Sequence, residues 1–174
     1  KKEIANSIDA GADEIDIVIN RAYVLQNEWQ KLYEEVRSFK EIAKDKKIKA
    51  ILGVGDLETM RNVAKASLVC MMAGADFIKT STGKEQINAN LNNSLVMLRM
   101  IREFHDYYGK KIGFKPAGGI SSAKNVLEFL ILVFEELGSS WLNQSLLRIG
   151  ASSLLIDIER QLYHFVAGRY ANKE

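Results

Sequence analysis

The sequence predicts an α/β fold with a parallel sheet, and three observations support this. Short apolar segments typical of strands alternate with longer segments that carry an apolar residue every three or four positions. Glycine follows several helical segments, as at Gly11, Gly74 and Gly109, which is where helices commonly end. Residues 10–16 and 73–79 repeat one pattern of helix end, turn and strand start. We count five strand–helix units, with no linker and no domain boundary.

Each element has its own signal in the sequence. The predicted strands are short apolar runs: residues 14–19, 49–52, 77–80, 111–115 and 147–149. The predicted helices carry an apolar stripe: residues 1–10, 29–43, 57–73, 93–108, 122–137 and 154–166, with a short helix near Trp141. Asp56 is placed to cap the helix that begins at residue 57. The basic run at residues 44–49 follows a helix, so we interpret it as a solvated helix end.

Composition and charge fit a globular enzyme domain and exclude several other classes. The chain has 174 residues, of which 47% are hydrophobic, enough for the core of one domain. The net charge is +2 and the charges are interspersed, which predicts neither a nucleic-acid partner nor a membrane surface. The single cysteine, Cys70, excludes an internal disulfide, and its apolar neighbours indicate a buried thiol in the reducing cytoplasm. No apolar run reaches the ~18–20 residues of a membrane span.

Two lysines lie inside apolar, strand-like segments that end in turns of small residues. Lys79 occurs in Phe-Ile-Lys-Thr-Ser-Thr-Gly-Lys and Lys115 in Gly-Phe-Lys-Pro-Ala-Gly-Gly. An ammonium in such a place loses much of its water, and a second ammonium nearby repels it, so both effects favour a neutral amine. Schiff-base chemistry needs a neutral amine, and at the ordinary lysine pKa of about 10.4 only about one amine in a thousand is neutral near pH 7.4. The alternative is that both lysines extend from strand ends into water.

Four motifs resemble, in their order along the chain, those of one enzyme family. They are residues 11–21, 77–84, 113–119 and 148–155, and the resemblance extends over essentially the whole chain. The family is that of the 2-deoxyribose-5-phosphate aldolases, which are class I, Schiff-base aldolases, and the chain is closer to the animal type than to the bacterial type. The resemblance implies a (β/α)8 TIM barrel, with residues 1–174 as the C-terminal part of a single barrel domain. About five C-terminal strand–helix units are expected here and about three N-terminal units are expected to be missing, since the chain begins just before the family's fourth strand.

In a barrel, the alternation of side chains along each strand decides which residues face the lumen. Ile15 and Ile17 belong to the outward, apolar face, so Asp16 points inward, and by the same rule Lys79 and Lys115 point inward. The repeated pattern noted above places Asp16 and Lys79 at the same depth. By resemblance, Lys79 is the Schiff-base nucleophile, Lys115 is the second catalytic lysine, and Asp16 stabilises the remaining ammonium and moves protons through a water molecule. The alternative from the residues alone is a buried structural salt bridge.

Two further loops suit a phosphate group. Glycines and serines stand between a strand and a helix start at residues 118–122 and 150–153, where backbone N–H groups and the helix dipole favour an anion. Simple helix capping is the alternative for each loop. With the family's motifs added, the predicted phosphate-binding residues are Gly83, Lys84, Gly118, Gly119, Gly150, Ser152 and Ser153. Many relatives carry arginine where this chain has Ser121, which leaves that contact open.

The resemblance also implies a reaction and its partners. The reaction is the reversible cleavage of 2-deoxy-D-ribose 5-phosphate to D-glyceraldehyde 3-phosphate and acetaldehyde, catalysed by a carbon–carbon lyase of deoxyribonucleoside catabolism. The expected partners are a small phosphosugar and acetaldehyde, without a metal or other cofactor, and the sequence leaves room for a homodimer. Two alternatives stay open. One is another phosphosugar barrel enzyme with a different acid–base set, and the other is a non-catalytic chain whose open sheet edges pair with a partner.

Overall fold

In the computed structural model, which describes residues 1–170, four parallel strands form one sheet in chain order. The strands are β1 (Glu14–Val18), β2 (Lys47–Ile51), β3 (Phe77–Lys79) and β4 (Gly113–Lys115). The helices are α1 (Lys2–Asp9), α2 (Arg21–Leu25), α3 (Trp29–Ala43), α4 (Met60–Met72), α5 (Leu91–Tyr108), α6 (Ala123–Leu137) and α7 (Leu154–Ala167). Two 3-10 helices add to these: Val54–Asp56 and Ser139–Trp141. Helices join successive parallel strands, which is the construction of a (β/α) barrel wall.

The predicted helices and the first four predicted strands are all present, with differences of a few residues at their ends. The structure adds α2, a helix of five residues that is too short to show an apolar period. The prediction that Asp56 caps the following helix is wrong. That helix, α4, begins at Met60, and Thr59 Oγ1 accepts the hydrogen bond from the Asn62 N–H at 3.1 Å. Asp56 ends a 3-10 helix and forms an ion pair with Arg21.

The predicted fifth strand, residues 147–149, lies parallel to β4 but pairs with its neighbour only through isolated bridges. The hydrogen-bond ladder between the two segments is interrupted. Before the interruption the Phe114 N–H donates to the Leu146 carbonyl at 2.8 Å, and after it the Gly118 N–H donates to the Gly150 carbonyl at 3.1 Å. Pro116 stands between them and has no N–H to donate. The position and direction of the segment are therefore as predicted, while the proline prevents a continuous ladder.

Side-chain alternation gives the sheet one apolar face and one charged face. Ile15, Ile17 and Ile78 face the helices and are no more than 8% exposed. Asp16 and the lysines of the later strands lie on the opposite face, as predicted. Val18 shares that face and is 43% exposed, because β1 is an edge strand of the sheet.

The single cysteine is a packing residue. Cys70 lies on α4 and is fully buried in the core, and burial raises the pKa of its thiol. A buried, protonated thiol is a poor nucleophile, which agrees with the sequence prediction.

Among residues 1–170, no helix combines the length and the apolar character needed to cross a bilayer.

Candidate active site

One aspartate and three lysines form a cluster on the charged face of the sheet. Asp16 Oδ2 accepts hydrogen bonds from Lys79 Nζ at 2.8 Å and from Lys115 Nζ at 2.7 Å. The other carboxylate oxygen, Oδ1, accepts a hydrogen bond from Lys49 Nζ at 3.0 Å. The structure thus brings together the three charged residues that the sequence selected, and it adds Lys49.

The strand register explains how side chains two and three strands apart meet. Four residues are aligned across the sheet: Val18, Ile51, Lys79 and Lys115. In an eight-stranded barrel with a shear of eight, neighbouring strands are offset by about one residue along the barrel axis. Across the two steps from β3 to β1 the offset is about two residues, which brings Asp16 to the level of Lys79. The common depth predicted for Asp16 and Lys79 agrees with their contact at 2.8 Å.

A second group of charges lies nearer the N-terminal ends of the strands. Glu14 Oε2 lies 2.9 Å from Lys49 Nζ, and Glu14 Oε1 accepts a hydrogen bond from the Arg148 guanidinium at 3.1 Å. The guanidinium also lies 6.0 Å from the centre of the Phe77 ring. Lys49 therefore connects Glu14 with Asp16, and its side chain is only 5% exposed.

Lys49 is the site residue that the sequence analysis missed. The interpretation of residues 44–49 as a solvated helix end is wrong for Lys49, which lies inside β2 and is buried. A signal was present in the sequence. Lys47 and Lys49 are separated by one isoleucine, and this two-residue period belongs to a strand rather than to a helix end.

The cluster contains more cations than carboxylates. Four cationic side chains lie within 3.1 Å of two carboxylates: Lys49, Lys79, Lys115 and Arg148 around Asp16 and Glu14. Burial alone would raise the pKa of Asp16, but hydrogen bonds from the lysines hold it well below its usual range. Burial lowers the pKa of Lys115, and the nearby lysine charges add to this, although Asp16 opposes it. The arrangement therefore favours the loss of a proton from the lysine cluster.

A cavity of about 530 Å³ opens beside the cluster, and Lys79 and Lys115 line it. Asp16 contacts both lysines without lining the cavity itself. All seven residues predicted to bind phosphate also line this cavity: Gly83, Lys84, Gly118, Gly119, Gly150, Ser152 and Ser153. The predicted chemical end and the predicted phosphate end therefore belong to one cavity.

The backbone N–H groups at the phosphate end fall into two sets. Three of them donate to no protein acceptor within residues 1–170: those of Gly119, Ser152 and Ser153. Four others already donate within the protein at 2.8–3.2 Å: those of Gly83, Lys84, Gly118 and Gly150. An anion in the cavity can use the first set, whereas the second set is occupied.

The two helix starts beside the cavity also differ. At the start of α6, Ser122 Oγ accepts a hydrogen bond from the Asn125 N–H at 3.2 Å, and the Asp157 carboxylate accepts one from the Ala123 N–H at 2.8 Å. At the start of α7, the side chain of Ser153 makes no capping hydrogen bond. Capping therefore explains the serine before α6, while the positive end of α7 is open to an anion.

Two glycines with occupied N–H groups are required by packing. Gly118 has a φ of +84°, and a Cβ there would lie 2.6 Å from Asn88 Oδ1. A Cβ at Gly150 would lie 2.6 Å from the Cβ of Ala117. These two glycines let the two loops approach each other. Close packing in the wall of the cavity therefore explains why glycine stands at both positions, and their N–H groups are already bound within the protein.

Comparison with known proteins places the chain in a family. The sequence profile of the DeoC/LacD family aldolases matches residues 1–155. The chain belongs to this family. Human deoxyribose-phosphate aldolase is 57% identical over 170 residues, covering 98% of this chain and 54% of the human protein. The mouse deoxyribose-phosphate aldolase gives the same identity and coverage. The resemblance seen in the sequence is confirmed, and the chain spans about half the length of the curated relatives it matches.

Solved structures confirm the barrel fold. A Toxoplasma gondii protein provisionally named deoxyribose-phosphate aldolase superposes with a TM-score of 0.83 at 20% identity, over 95% of this chain and 64% of that protein. The tetrameric deoxyribose phosphate aldolase of Aeropyrum pernix gives a TM-score of 0.69 at 23% identity, over 97% of this chain and 61% of that protein. At such identities the likeness shows the fold alone. The four strands and their helices are therefore a part of a TIM barrel.

Replacing Lys49 by methionine tests its part in the cluster. Methionine keeps much of the side-chain length but removes the buried contacts of Lys49 with Asp16 and Glu14, which retain only their other cations. We therefore expect unfolding to become easier by about 2 kcal/mol. Lys47→Met is the matched control, because Lys47 lies on the same strand face, 3.8 Å from Glu14, and is 42% exposed. Its effect should stay within about 0.5 kcal/mol. Urea unfolding of the full-length protein measures both, and equal effects would contradict a special role for Lys49.

Proposed function

We propose that the protein containing this chain is a deoxyribose-phosphate aldolase of class I. It would cleave 2-deoxy-D-ribose 5-phosphate reversibly to D-glyceraldehyde 3-phosphate and acetaldehyde through a Schiff base on Lys79. The observation that carries the proposal is the pair Lys79 and Lys115, which share one oxygen of Asp16 and line a cavity with open N–H groups at its other end. The relatives' names support the choice of substrate.

The first step is attack by a neutral Lys79 amine on the C1 aldehyde of the open-chain sugar. The carbinolamine formed loses water to give an iminium, and each proton transfer needs a group that both gives and takes protons. Lys115 suits that role because its pKa is lowered by burial and it contacts the same carboxylate oxygen as Lys79. Asp16 would hold the two amines together, stabilise the remaining ammonium and help to move protons through a water molecule.

The second step breaks the bond between C2 and C3. The C3 hydroxyl proton passes to the neutral Lys115 amine, through a water molecule, and C3 becomes the aldehyde carbon of D-glyceraldehyde 3-phosphate. The electrons of the C2–C3 bond move to C2 to form an enamine. The positively charged iminium nitrogen accepts the displaced electron density. Protonation of C2 and hydrolysis then release acetaldehyde and free the Lys79 amine. The sugar, water and the lysines supply every atom and electron pair that these reaction steps need.

The far end of the cavity would hold the substrate phosphate. The free N–H groups of Gly119, Ser152 and Ser153 and the uncapped start of α7 are suited to a dianion. Lys84 lines the same region, and its ammonium group can add a positive charge. Binding the phosphate there would place the aldehyde end of the sugar toward Lys79, which is the positioning that the imine reaction needs.

The remaining expectations are part of the same proposal. Within residues 1–170 no group of three or more histidine, cysteine, aspartate or glutamate side chains is arranged to bind a metal ion. The buried thiol of Cys70 suits the cytoplasm, where we propose that the enzyme works in deoxyribonucleoside breakdown. A homodimer stays a prediction. The next experiment separates a Schiff-base enzyme from a non-catalytic chain, and another phosphosugar enzyme stays the alternative.

Trapping with borohydride tests the Schiff base. Reduction of the full-length protein in the presence of acetaldehyde should leave a stable ethyl group on Lys79, located by peptide mass mapping. Lys79→Ala should abolish the adduct, and Lys47→Ala, which removes an exposed lysine of the same sheet, should leave it intact. An adduct found only on Lys115 would exchange the roles of the two lysines. The absence of any adduct would rule out the aldolase.

A serine-to-aspartate change tests the phosphate end. Ser152→Asp puts a carboxylate where the phosphate would sit, so the Michaelis constant for deoxyribose 5-phosphate should rise at least tenfold, about 1.4 kcal/mol. An aspartate near a helix start favours the helix, so the fold should be kept. Cleavage of unphosphorylated deoxyribose should change less than twofold. Ser145→Asp, an exposed position outside the cavity, is the control. An equal loss for both sugars would contradict the phosphate assignment.

A further inference from the structure

The loop between β3 and α5 contains a capping box that no helix uses. In the pattern Thr82-x-x-Glu85, the Thr82 N–H donates to both Glu85 carboxylate oxygens at 3.0 Å, and the Lys84 N–H donates to Thr82 Oγ1 at 3.2 Å. A capping box normally begins a helix, and its hydroxyl then accepts from the N–H three residues on, whereas here the donor is the N–H of Lys84, two residues on. Here the next helix, α5, begins only at Leu91. The box therefore serves the loop itself, and this loop lines the cavity.

One oxygen of Glu85 collects nearly all the donors of the loop. Oε2 accepts from the N–H groups of Thr82, Gly83 and Lys84 at 3.0–3.2 Å and from Thr82 Oγ1 at 2.7 Å. Three successive N–H groups that converge in this way form an anion-binding nest. Burial alone would raise the pKa of Glu85, but the hydrogen bonds from Thr82 and from the loop N–H groups lower it. The nest is therefore filled by a charged carboxylate of the protein.

The same loop is fastened to the opposite wall of the cavity. Within the loop, Asn88 Nδ2 donates to the Glu85 carbonyl at 2.7 Å. The bond to the opposite wall is that of the Ala89 N–H, which donates to the Ala117 carbonyl at 3.1 Å. Asn88 also packs against Gly118, where no side chain would fit. Glu85 thus fixes the front of the loop while Asn88 and Ala89 fix its end. Lys84 belongs to the segment whose N–H groups Glu85 binds, and it lines the cavity, whereas Glu85 does not.

We infer that Glu85 is a positioning residue that gives the cavity its preference for a phosphorylated sugar. By filling the loop's N–H nest, it keeps the substrate phosphate out of the loop and presents the Lys84 ammonium to the phosphate. The phosphate is then held between Lys84 and the free N–H groups of Gly119, Ser152 and Ser153. This inference rests on the proposed function and adds the residue that orders one side of the phosphate site.

Glu85→Gln in the full-length protein tests the inference. Glutamine keeps the shape but loses the charge, and its single amide oxygen accepts weaker hydrogen bonds from the nest than the carboxylate does, so the loop should lose part of its order. The Michaelis constant for deoxyribose 5-phosphate should rise about tenfold, while the turnover number and the cleavage of unphosphorylated deoxyribose change less than twofold. Glu103→Gln, an exposed glutamate on α5, removes the same charge as a control. Glu85→Asp keeps the charge and should recover part of the loss.

A double variant separates positioning through Lys84 from a general disturbance. If Glu85 acts through Lys84, adding Glu85→Gln to Lys84→Ala should raise the Michaelis constant less than twofold beyond Lys84→Ala alone. Effects that simply multiply would overturn the inference, and so would an unchanged Michaelis constant in the single variant.

Binding of inorganic phosphate gives a readout that does not depend on the aldolase reaction. Calorimetry should show about tenfold weaker binding to Glu85→Gln than to the wild-type protein and to Glu103→Gln. Unchanged binding would overturn the positioning role even if the Lys79 adduct forms. Tighter binding would show that the phosphate gains more from the vacated nest than it loses at Lys84, and it would also overturn the positioning role. Failure of the wild-type protein to form the Lys79 adduct would instead count against the proposed function.

Discussion

The Asp16 carboxylate is shared by three lysine ammonium groups, and this shortage of negative charge shapes the whole site. If Lys49, Lys79 and Lys115 were all charged, a largely buried cluster would hold more cations than its carboxylates could balance. Burying a cation without a matching anion costs free energy, and the loss of one proton relieves that cost. Schiff-base formation needs an uncharged amine. The loss of one proton from a lysine therefore both relieves the excess positive charge of the cluster and supplies the neutral amine that the proposed reaction needs.

The barrel geometry creates this cluster from very short strands. β3 and β4 have only three residues each, and each ends in its lysine. The one-residue offset between neighbouring strands then brings Asp16 from the edge strand to the level of Lys79. Pro116 interrupts the ladder just beyond Lys115, where the chain leaves the sheet to form the cavity wall. Charged side chains and the loops that line the cavity thus meet where the strands end.

Much of this site could be predicted because it depends on local rules. Two-residue alternation and the repeated strand start, set in the barrel that the family resemblance implies, predicted that Asp16, Lys79 and Lys115 come together. Lys49 was not predicted as a site residue, because a run of lysines after a helix is also typical of a solvated helix end. The state of each backbone N–H could not be read from the sequence, since it depends on which chain segment passes beside it. Glu85 is a further example. The pattern Thr82-x-x-Glu85 is visible in the sequence, but the sequence does not show that no helix follows until Leu91.

The most direct test of the charge-shortage account is the pH dependence of adduct formation on Lys79 in Lys115→Leu. Leucine removes one positive charge and leaves Asp16 to stabilise fewer ammonium groups. The account predicts that the pH of half-maximal borohydride trapping moves upward by about one unit or more, because the remaining lysines keep their protons more firmly. The measurement compares trapping rates across pH for the wild-type and variant proteins, with Lys47→Leu as the control. An unchanged midpoint would contradict the account.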